Sequence, residues 1–165
     1  MRDAPDTQSE RDEHFLRHTL ELARLNVERG DGGPFGAVIT RHGEIIAAGW
    51  NRVVADKDPT AHAEILAIRA ACQKLQHFHL EGCTLYASSE PCPMCLAAAY
   101  WARVDRIVFA NDREVAAAVG FCDEALYSEL QRPPLARQIP TLHHPIPEAS
   151  APLKAWFARQ DRIGY

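Results

Sequence analysis

Two short stretches hold the residues of this chain best suited to chemistry. The first is His62-Ala63-Glu64 and the second is Pro91-Cys92-Pro93-Met94-Cys95. Thiolate sulfur and imidazole nitrogen are ligands that zinc takes readily, usually in a tetrahedron. Two cysteines three residues apart lie on one face of a helix, about one turn from each other. The sequence therefore predicts that His62, Cys92 and Cys95 bind one zinc ion.

Both halves of this predicted site are expected at helix N-termini. Pro91 and Pro93 are typical of a first helical turn, where the helix dipole favours the thiolate form of a cysteine. The histidine follows Asp58-Pro59-Thr60, which indicates another helix start with Asp58 or Thr60 as the N-cap. The two helix starts are therefore expected to direct their ligands to one point.

Glu64 is a carboxylate close to the predicted metal that need not be a ligand. Three protein ligands leave a fourth position for water, and zinc lowers the pKa of such a water to about 7. Glu64 would take the proton of this water, give it to a ring nitrogen and later help the amine to leave. The combination indicates hydrolysis of an amine from a nucleobase-like ring.

A structural zinc site in a non-catalytic zinc-binding module is the alternative from a different class. It would require a fourth protein ligand and would leave Glu64 without a role. The spare cysteines are Cys72, Cys83 and Cys122. The first lies on an apolar helical stripe and the second opens a predicted strand, so both are expected to be packing residues. The catalytic interpretation is therefore preferred.

The composition limits the class of protein. A chain of 165 residues, 47% of them hydrophobic, suits one globular domain, expected over residues 10–165 after a flexible tail over residues 1–9. No secretory signal or membrane span is visible, and the unpaired cysteines fit a reducing compartment, which predicts the cytoplasm. The net charge of −4 disfavours a nucleic-acid substrate, because such proteins usually carry a basic face.

Hydrophobic periodicity predicts helices that alternate with strands. The helices are expected over residues 10–29, 93–102, 114–119, 124–130 and 152–160, with one more beginning at the zinc motif of His62. The strands are expected over residues 35–40, 45–50, 83–87, 106–110 and 139–143. This order predicts an α/β fold in which a mixed five-stranded sheet is covered by helices on both faces, a three-layer αβα sandwich.

These motifs resemble those of the cytidine deaminase-like superfamily and, within it, of the small bacterial guanine deaminases. The resemblance covers nearly the whole chain from about Asp12. The H-A-E and P-C-x-x-C motifs are shared by the wider superfamily, whereas Gly120-Phe121 and the terminal Tyr165 match the guanine deaminases. Further matching pieces are Gly32 to Val38, Asn51, Asp58 to Glu64, Glu90 to Leu96, Tyr100 to Arg103, Asp123, Tyr127 and Lys154 to Trp156.

The resemblance implies a cytidine deaminase-like fold and a complete set of site residues. The implied metal ligands are His62, Cys92 and Cys95, and the implied proton shuttle is Glu64. The implied substrate-binding residues are Asn51, Asp123, Phe35, Trp101, Ala63 and Tyr165. From the residues alone, Asn51 is as consistent with a backbone cap, Asp123 with a helix cap, and the two aromatic residues with core packing.

The resemblance also implies an assembly. In the family the C-terminal segment is exchanged between the subunits of a dimer, so a homodimer is expected here, with residues from about 145 to 165 swapped and one zinc ion per subunit. Cys122 departs from the family pattern, which commonly has an acid there; Asp123 is the acid that matches purine recognition.

The predicted reaction is the conversion of guanine to xanthine and ammonia. Zinc-bound hydroxide would attack C2 of the purine while Glu64 protonates N3. The nearest alternative is a tRNA adenosine deaminase, which shares the zinc motifs. A deaminase of guanosine, cytosine or an aminotriazine is a further alternative, since the sequence does not give the depth of the pocket.

Overall fold

A computed structural model describes residues 7–164 of the chain. Helices and strands are interspersed along the sequence. The chain divides into two compact units that meet between residues 123 and 124. The first unit contains α1 (Gln8–Arg29), β1 (Gly36–Arg41), β2 (Glu44–Trp50), α2 (Val53–Asp56), α3 (Ala63–Leu75), β3 (Cys83–Ser89), α4 (Pro93–Trp101), β4 (Arg106–Asn111) and α5 (Arg113–Ala118). The second unit contains α6 (Glu124–Gln131), a short 3-10 helix (Pro134–Ala136) and α7 (Ala151–Ala158). Within residues 7–164, every helix is too short or too polar to cross a membrane.

The described residues form one mixed sheet of four strands in the order β2-β1-β3-β4. Strand β1 is antiparallel to β2 and to β3, whereas β3 and β4 are parallel. The mixed character confirms the predicted fold class, but the fifth strand was wrong: residues 139–143 form no strand. Pro140 lies inside that segment and has no backbone N–H to donate to a ladder, which restricts proline to edges and bulges of sheets.

Alternate residues of the two central strands face opposite layers. Ile39 of β1 and Leu85 of β3 are fully buried in a cluster with residues of α3 and α4. Val38 and Tyr86, one position away, pack with Phe15 of α1 on the other face. Because side chains alternate along a strand, these two clusters place helices on both faces of the sheet and confirm the three predicted layers.

Helix α1 begins at Gln8, so residues 8 and 9 of the predicted tail are helical; residues 1–6 lie outside the described part. The reason is a capping box: the Thr7 hydroxyl accepts from the backbone N–H of Glu10, whose carboxylate accepts from the Thr7 backbone N–H at 2.9 Å. The helix ends at Gly30, which has φ +71°, a left-handed conformation that glycine adopts at low cost.

Helix α3 begins at Ala63, and its N-cap is His62 rather than Asp58 or Thr60. The Asp58 carboxylate instead accepts from the backbone N–H and the hydroxyl of Thr60, at 2.8 and 2.7 Å. This local turn is typical of aspartate. The turn precedes His62, which has an extended backbone conformation at the N-terminus of α3.

Gly49 of β2 lets α3 lie directly on the sheet. A Cβ atom at this position would lie 2.5 Å from the Ala63 carbonyl oxygen and 2.8 Å from the Ala67 backbone nitrogen. Real side chains do not tolerate such distances, so only glycine allows this approach. The close contact fixes the N-terminal turn of α3, which carries two of the predicted site residues.

Candidate active site

Three potential zinc ligands converge where α3 and α4 begin. His62 is the N-cap of α3, Cys92 is the N-cap of α4, and Cys95 lies in the first turn of α4. The Nδ1 atom of His62 is 3.6 Å from the Cys92 sulfur and 3.5 Å from the Cys95 sulfur. The three ligand atoms all lie within 4.8 Å of one another. Two sulfurs and one imidazole nitrogen in this arrangement fit the donor set of zinc.

The electrostatics of the three side chains favour an ionised sulfur. Hydrogen bonding from the Cys95 thiol, helped by His62, lowers the pKa of Cys92 to about 4 against the opposing effect of burial. The same hydrogen bond holds the proton on Cys95 and raises its pKa. The neighbouring Cys92 sulfur raises the pKa of His62. Because thiolate is the form that binds metals, Cys92 is ready to act as a ligand at neutral pH.

Glu64 lies beside this cluster in the first turn of α3 and is only 8% exposed. The Cys95 sulfur lies 3.5 Å from its Oε2 atom. Burial raises the pKa of Glu64, because removal from water disfavours the charged carboxylate. The carboxyl group therefore holds a proton more readily than an exposed glutamate.

A cavity of about 760 Å³ opens beside the metal ligands. His62, Glu64 and Cys92 lie at its wall together with three of the predicted substrate-binding residues. Those three are Phe35, Asn51 and Asp123. Its other lining residues are mostly apolar or glycine: Val27, Gly32, Gly33, Pro34, Val53, Val54, Glu90, Val119 and Phe121. A mostly apolar cavity with a few polar groups is typical of a small-molecule site.

Two further predicted substrate-binding residues, Ala63 and Trp101, do not line this cavity. Ala63 is fully buried and packs in the core between α3 and the sheet. Trp101 ends α4, is 67% exposed, and does not line the cavity formed by the described residues. Tyr165 lies outside the described residues, so the structure says nothing about its position.

Asn51 is 5% exposed, and the hydrogen bonds of its side chain define the orientation of its amide group. Its Oδ1 atom accepts from the backbone N–H groups of Gly33 and Val53, at 3.1 and 3.2 Å. The backbone cap considered from the sequence is therefore present. Because the carbonyl oxygen holds these two donors, the Nδ2 group is the end of the amide that can donate to a molecule in the cavity.

Phe121 was missed as a site residue. Its ring meets Phe35 edge to face, with ring centroids 4.7 Å apart and an interplanar angle of 83°, a favourable arrangement for aromatic pairs. The two rings make one wall of the cavity. The sequence signal was the Gly120-Phe121 piece, which had marked a family resemblance without assigning a contact to the phenylalanine.

Glu90 and Arg113 form an ion pair at the cavity wall. The Arg113 backbone N–H and its Nε group both donate to the Glu90 carboxylate, each at 3.1 Å. These hydrogen bonds lower the pKa of Glu90. The Glu90 carboxylate therefore stays ionised, and its oxygens are engaged by Arg113. Burial instead raises the pKa of Asp123. Of these two lining carboxyl groups, Glu90 is already paired with Arg113.

The sequence matches those of known deaminases. Residues 9–111 match the family described as the cytidine and deoxycytidylate deaminase zinc-binding region. The guanine deaminase of Bacillus subtilis is 47% identical over 144 residues, which span 87% of this chain and 92% of that protein. The tRNA-specific adenosine deaminase of Aquifex aeolicus is 38% identical over 148 residues, spanning 89% of this chain and 94% of that protein.

Solved structures agree with the sequence matches. The X-ray structure of the Bacillus subtilis guanine deaminase superimposes with a TM-score of 0.91 at 45% identity, covering 93% of this chain and 98% of that chain. A guanine deaminase structure from Nitrosomonas europaea gives a TM-score of 0.64 at 35% identity, covering 73% and 75% of the two chains. The chain therefore belongs to the zinc-binding cytidine and deoxycytidylate deaminase family.

Proposed function

We propose that the protein hydrolyses guanine to xanthine and ammonia in a zinc-dependent reaction. The observation that carries the proposal is the His62, Cys92 and Cys95 cluster with buried Glu64 beside it, at the wall of a mostly apolar cavity. The similarity to guanine deaminase over nearly the full length of both chains supports the choice of purine.

Zinc is the metal that suits the site. His62, Cys92 and Cys95 would hold it, and Ile65 packs against the two cysteines in a small buried cluster that limits their movement. A zinc ion with three such ligands activates a water molecule by lowering its pKa to about 7. Soft sulfur donors disfavour magnesium and calcium, which prefer oxygen ligands.

Glu64 moves the protons of the reaction. Its carboxylate accepts a proton from the attacking water and, once protonated, donates to N3 of the purine, which makes C2 more electrophilic. In the second half of the reaction the carboxylate takes the proton of the new hydroxyl group on C2 and delivers it to the amine, so that the C2–N bond breaks as the C2 carbonyl forms and ammonia leaves. The low exposure of Glu64 keeps bulk water away from these transfers, so the proton remains on the carboxyl group until the ring accepts it.

Asn51 and Asp123 recognise the edge of the base. The Asn51 Nδ2 group donates to an acceptor on the ring, and Asp123 faces the polar edge that carries the N–H groups of the purine. A site built to pair with such groups rejects bases that leave its own polar atoms unpaired. Phe35 and Phe121 supply an apolar wall for the flat ring, and we propose that Trp101 and Tyr165 contribute in the complete assembly.

We propose that this assembly is a homodimer in which residues from about 145 to 165 are exchanged. Within α7, Leu153, Trp156 and Phe157 are 71%, 42% and 74% exposed. In the first unit, Tyr100 and Trp101 are exposed at the end of α4. Exposed apolar groups of this size usually mark surfaces that another chain covers.

The exchange has a direct test by complementation. A chain with Glu64→Gln keeps its C-terminal segment, and a chain truncated after His144 keeps its Glu64. If segments are exchanged, unfolding and refolding the two inactive chains together restores activity to mixed dimers. A mixture that dimerises by light scattering but stays inactive would contradict the exchange.

A cytoplasmic location is proposed on the state of the cysteines. All five are free thiols within the described residues, and the Cys92 and Cys95 ligands must stay reduced to bind metal. A reducing compartment meets that requirement. Fractionation of cells that produce the protein tests it.

The second candidate function is deamination of adenosine in tRNA. The full-length similarity to the Aquifex aeolicus enzyme favours it, whereas the net charge of −4 does not suit a polynucleotide substrate. Ammonia release from guanine, guanosine, adenine, cytosine and a tRNA anticodon stem-loop separates the candidates. Preference for free guanine supports the proposal, and turnover of the RNA alone would overturn it.

A further inference from the structure

Asn26, in the last turn of α1, is fully buried although it is polar. Its Nδ2 group donates to the carbonyl oxygen of Gly33 at 2.7 Å and to the carbonyl oxygen of Asn51 at 2.8 Å. Both amide protons are therefore used, and they join two loops that lie far apart in the sequence. One side chain connects the glycine-rich loop after α1 to the segment after β2.

The two ends of the Asn26 amide differ in their hydrogen bonding. The Oδ1 atom of Asn26 is buried and has no hydrogen-bond partner among the described residues. A buried acceptor without a partner destabilises the folded state, whereas the two N–H groups satisfy carbonyl oxygens that an apolar side chain would leave unpaired. The two directed N–H groups are therefore the property of Asn26 that matters.

Those two N–H groups act on the residues that orient Asn51. The Gly33 residue that accepts from Asn26 also donates its own N–H to the Oδ1 atom of Asn51. The other acceptor is the backbone carbonyl of Asn51 itself. Asn26, Gly33 and Asn51 thus form a closed set of hydrogen bonds with Asn51 at the cavity wall. The neighbouring Gly32 packs so closely that a Cβ atom there would lie 2.1 Å from the Asn51 Oδ1 atom.

We propose that Asn26 is a positioning residue that holds the Asn51 amide in the orientation that presents Nδ2 to the substrate. The inference rests on the proposed function and adds to it a residue in a helix, behind the wall of the site. Loss of the Asn26 donors frees the glycine-rich loop and lets the Asn51 amide rotate. The effect falls on binding of the base, while the metal ligands and Glu64 keep their places.

The test compares Asn26→Leu with wild type for turnover of guanine by the zinc-loaded protein. Leucine keeps the branching of asparagine and removes both donors. We expect KM for guanine to rise about tenfold with kcat changed less than threefold, the pattern of lost ground-state binding. The matched control is Thr19→Val, which removes the hydroxyl of another fully buried polar residue of α1. Among the residues that the structure describes, that hydroxyl donates within the helix, to the carbonyl oxygen of Leu16, so KM should not change.

A double-mutant cycle distinguishes positioning from a general structural effect. Asn51→Asp keeps the Oδ1 acceptor and removes the Nδ2 donor, so Asn26→Leu should add little to its KM if Asn26 acts through that donor. Equal KM effects of Asn26→Leu in both backgrounds would overturn the proposal. Faster amide hydrogen exchange at Gly33 and Val53 in Asn26→Leu is expected, and unchanged exchange would contradict it.

The folding of the variant and the failure of the proposed function are separable. If Asn26→Leu does not fold, Asn26→Ser, which is smaller and cannot bridge both carbonyls, replaces it in the same cycle. Wild-type protein that turns over guanine while both Asn26 variants keep its KM refutes the positioning role alone. Wild-type protein with bound zinc and no turnover of guanine refutes the proposed function and this inference with it.

Discussion

Replacement of Glu64 by glutamine is the change that most directly tests the reaction. Glutamine has nearly the same shape, so the first turn of α3 and its contact with Cys95 should persist, and His62, Cys92 and Cys95 should still bind zinc. The amide cannot accept and return a proton. Loss of a positioned general acid and base costs about 10²- to 10⁴-fold in rate, or about 3–5 kcal/mol of transition-state stabilisation.

The structure argues for the upper end of this range. Glu64 is 8% exposed, so bulk water is poorly placed to replace it. Glu90 also lines the cavity, but its oxygens are held by Arg113, whose hydrogen bonds lower the pKa of Glu90. Asp123 is the remaining lining carboxyl group that could carry a proton. We therefore expect kcat to fall about 10³- to 10⁴-fold.

The assay is steady-state ammonia release from guanine, with zinc content and thermal unfolding measured on the same preparations. Glu64→Gln should have the same zinc content per chain as wild type, and its Tm should lie within a few degrees of the wild-type Tm. A second variant, Glu64→Gln with Asp123→Asn, tests whether Asp123 supplies the residual rate. Loss of a general acid and base should lower kcat at least about a hundredfold. If Glu64→Gln with a full complement of zinc keeps more than about a tenth of the wild-type kcat, Glu64 is not the proton shuttle.

Three further outcomes follow from the contacts described above. Gly32→Ala places a Cβ atom 2.1 Å from the Asn51 Oδ1 atom, so KM for guanine should rise at least about tenfold through misplacement of the wall; the control Gly43→Ala, at φ +80° with no heavy atom within 4 Å, should lose about 1 kcal/mol of stability and leave KM unchanged. Asp12 accepts hydrogen bonds from Tyr86 at 2.7 Å and from Arg106 at 2.9 Å. The Arg106 hydrogen bond is the main cause that lowers the pKa of Asp12 from 3.8 to about 2. The ionised Asp12 carboxylate therefore stabilises the folded state above about pH 4, and this stabilisation is lost as the pH falls towards 2. Asp12→Asn should therefore lower Tm at neutral pH and show a shallower loss of Tm between pH 4 and pH 2, and parallel acid profiles would contradict this. Removal of metal by a chelator should abolish activity and lower Tm, because a ligand that binds only the folded state stabilises it; zinc should restore both, and a chelated protein with full activity would exclude a catalytic metal.

The sequence was most informative where the chemistry is local. The spacing of Cys92 and Cys95 on one helical turn, the prolines that start α4 and the glycine that ends α1 are properties of neighbouring residues. For this reason the cluster of His62, Cys92 and Cys95 and most helix and strand positions could be predicted from the sequence. The start of α3 did not, because the Asp58 and Thr60 side chains pair with each other rather than with the helix.

Features that depend on contacts between distant parts of the chain could not be derived from local sequence patterns. The segment of residues 139–143 had side chains suitable for a strand, but no strand within residues 7–164 pairs with it. The fixed orientation of the Asn51 amide depends on the N–H of Gly33, and the role of Asn26 on carbonyl groups 7 and 25 residues away. A buried asparagine in an amphipathic helix gives no sequence signal that it binds two loops.

The sequence by itself thus determined the α/β class and the grouping of His62, Cys92 and Cys95 as candidate zinc ligands, with Glu64 as the predicted acid and base, because residue type and spacing along one helical turn decide which groups can reach a metal. Only the tertiary structure decided which side chains share the cavity with Glu64, as Phe121 and Asn51 do and Trp101 of the same chain does not. The physical reason is that a cavity wall is assembled from segments distant in sequence. Their relative positions come from packing across both faces of the sheet, which local patterns do not encode.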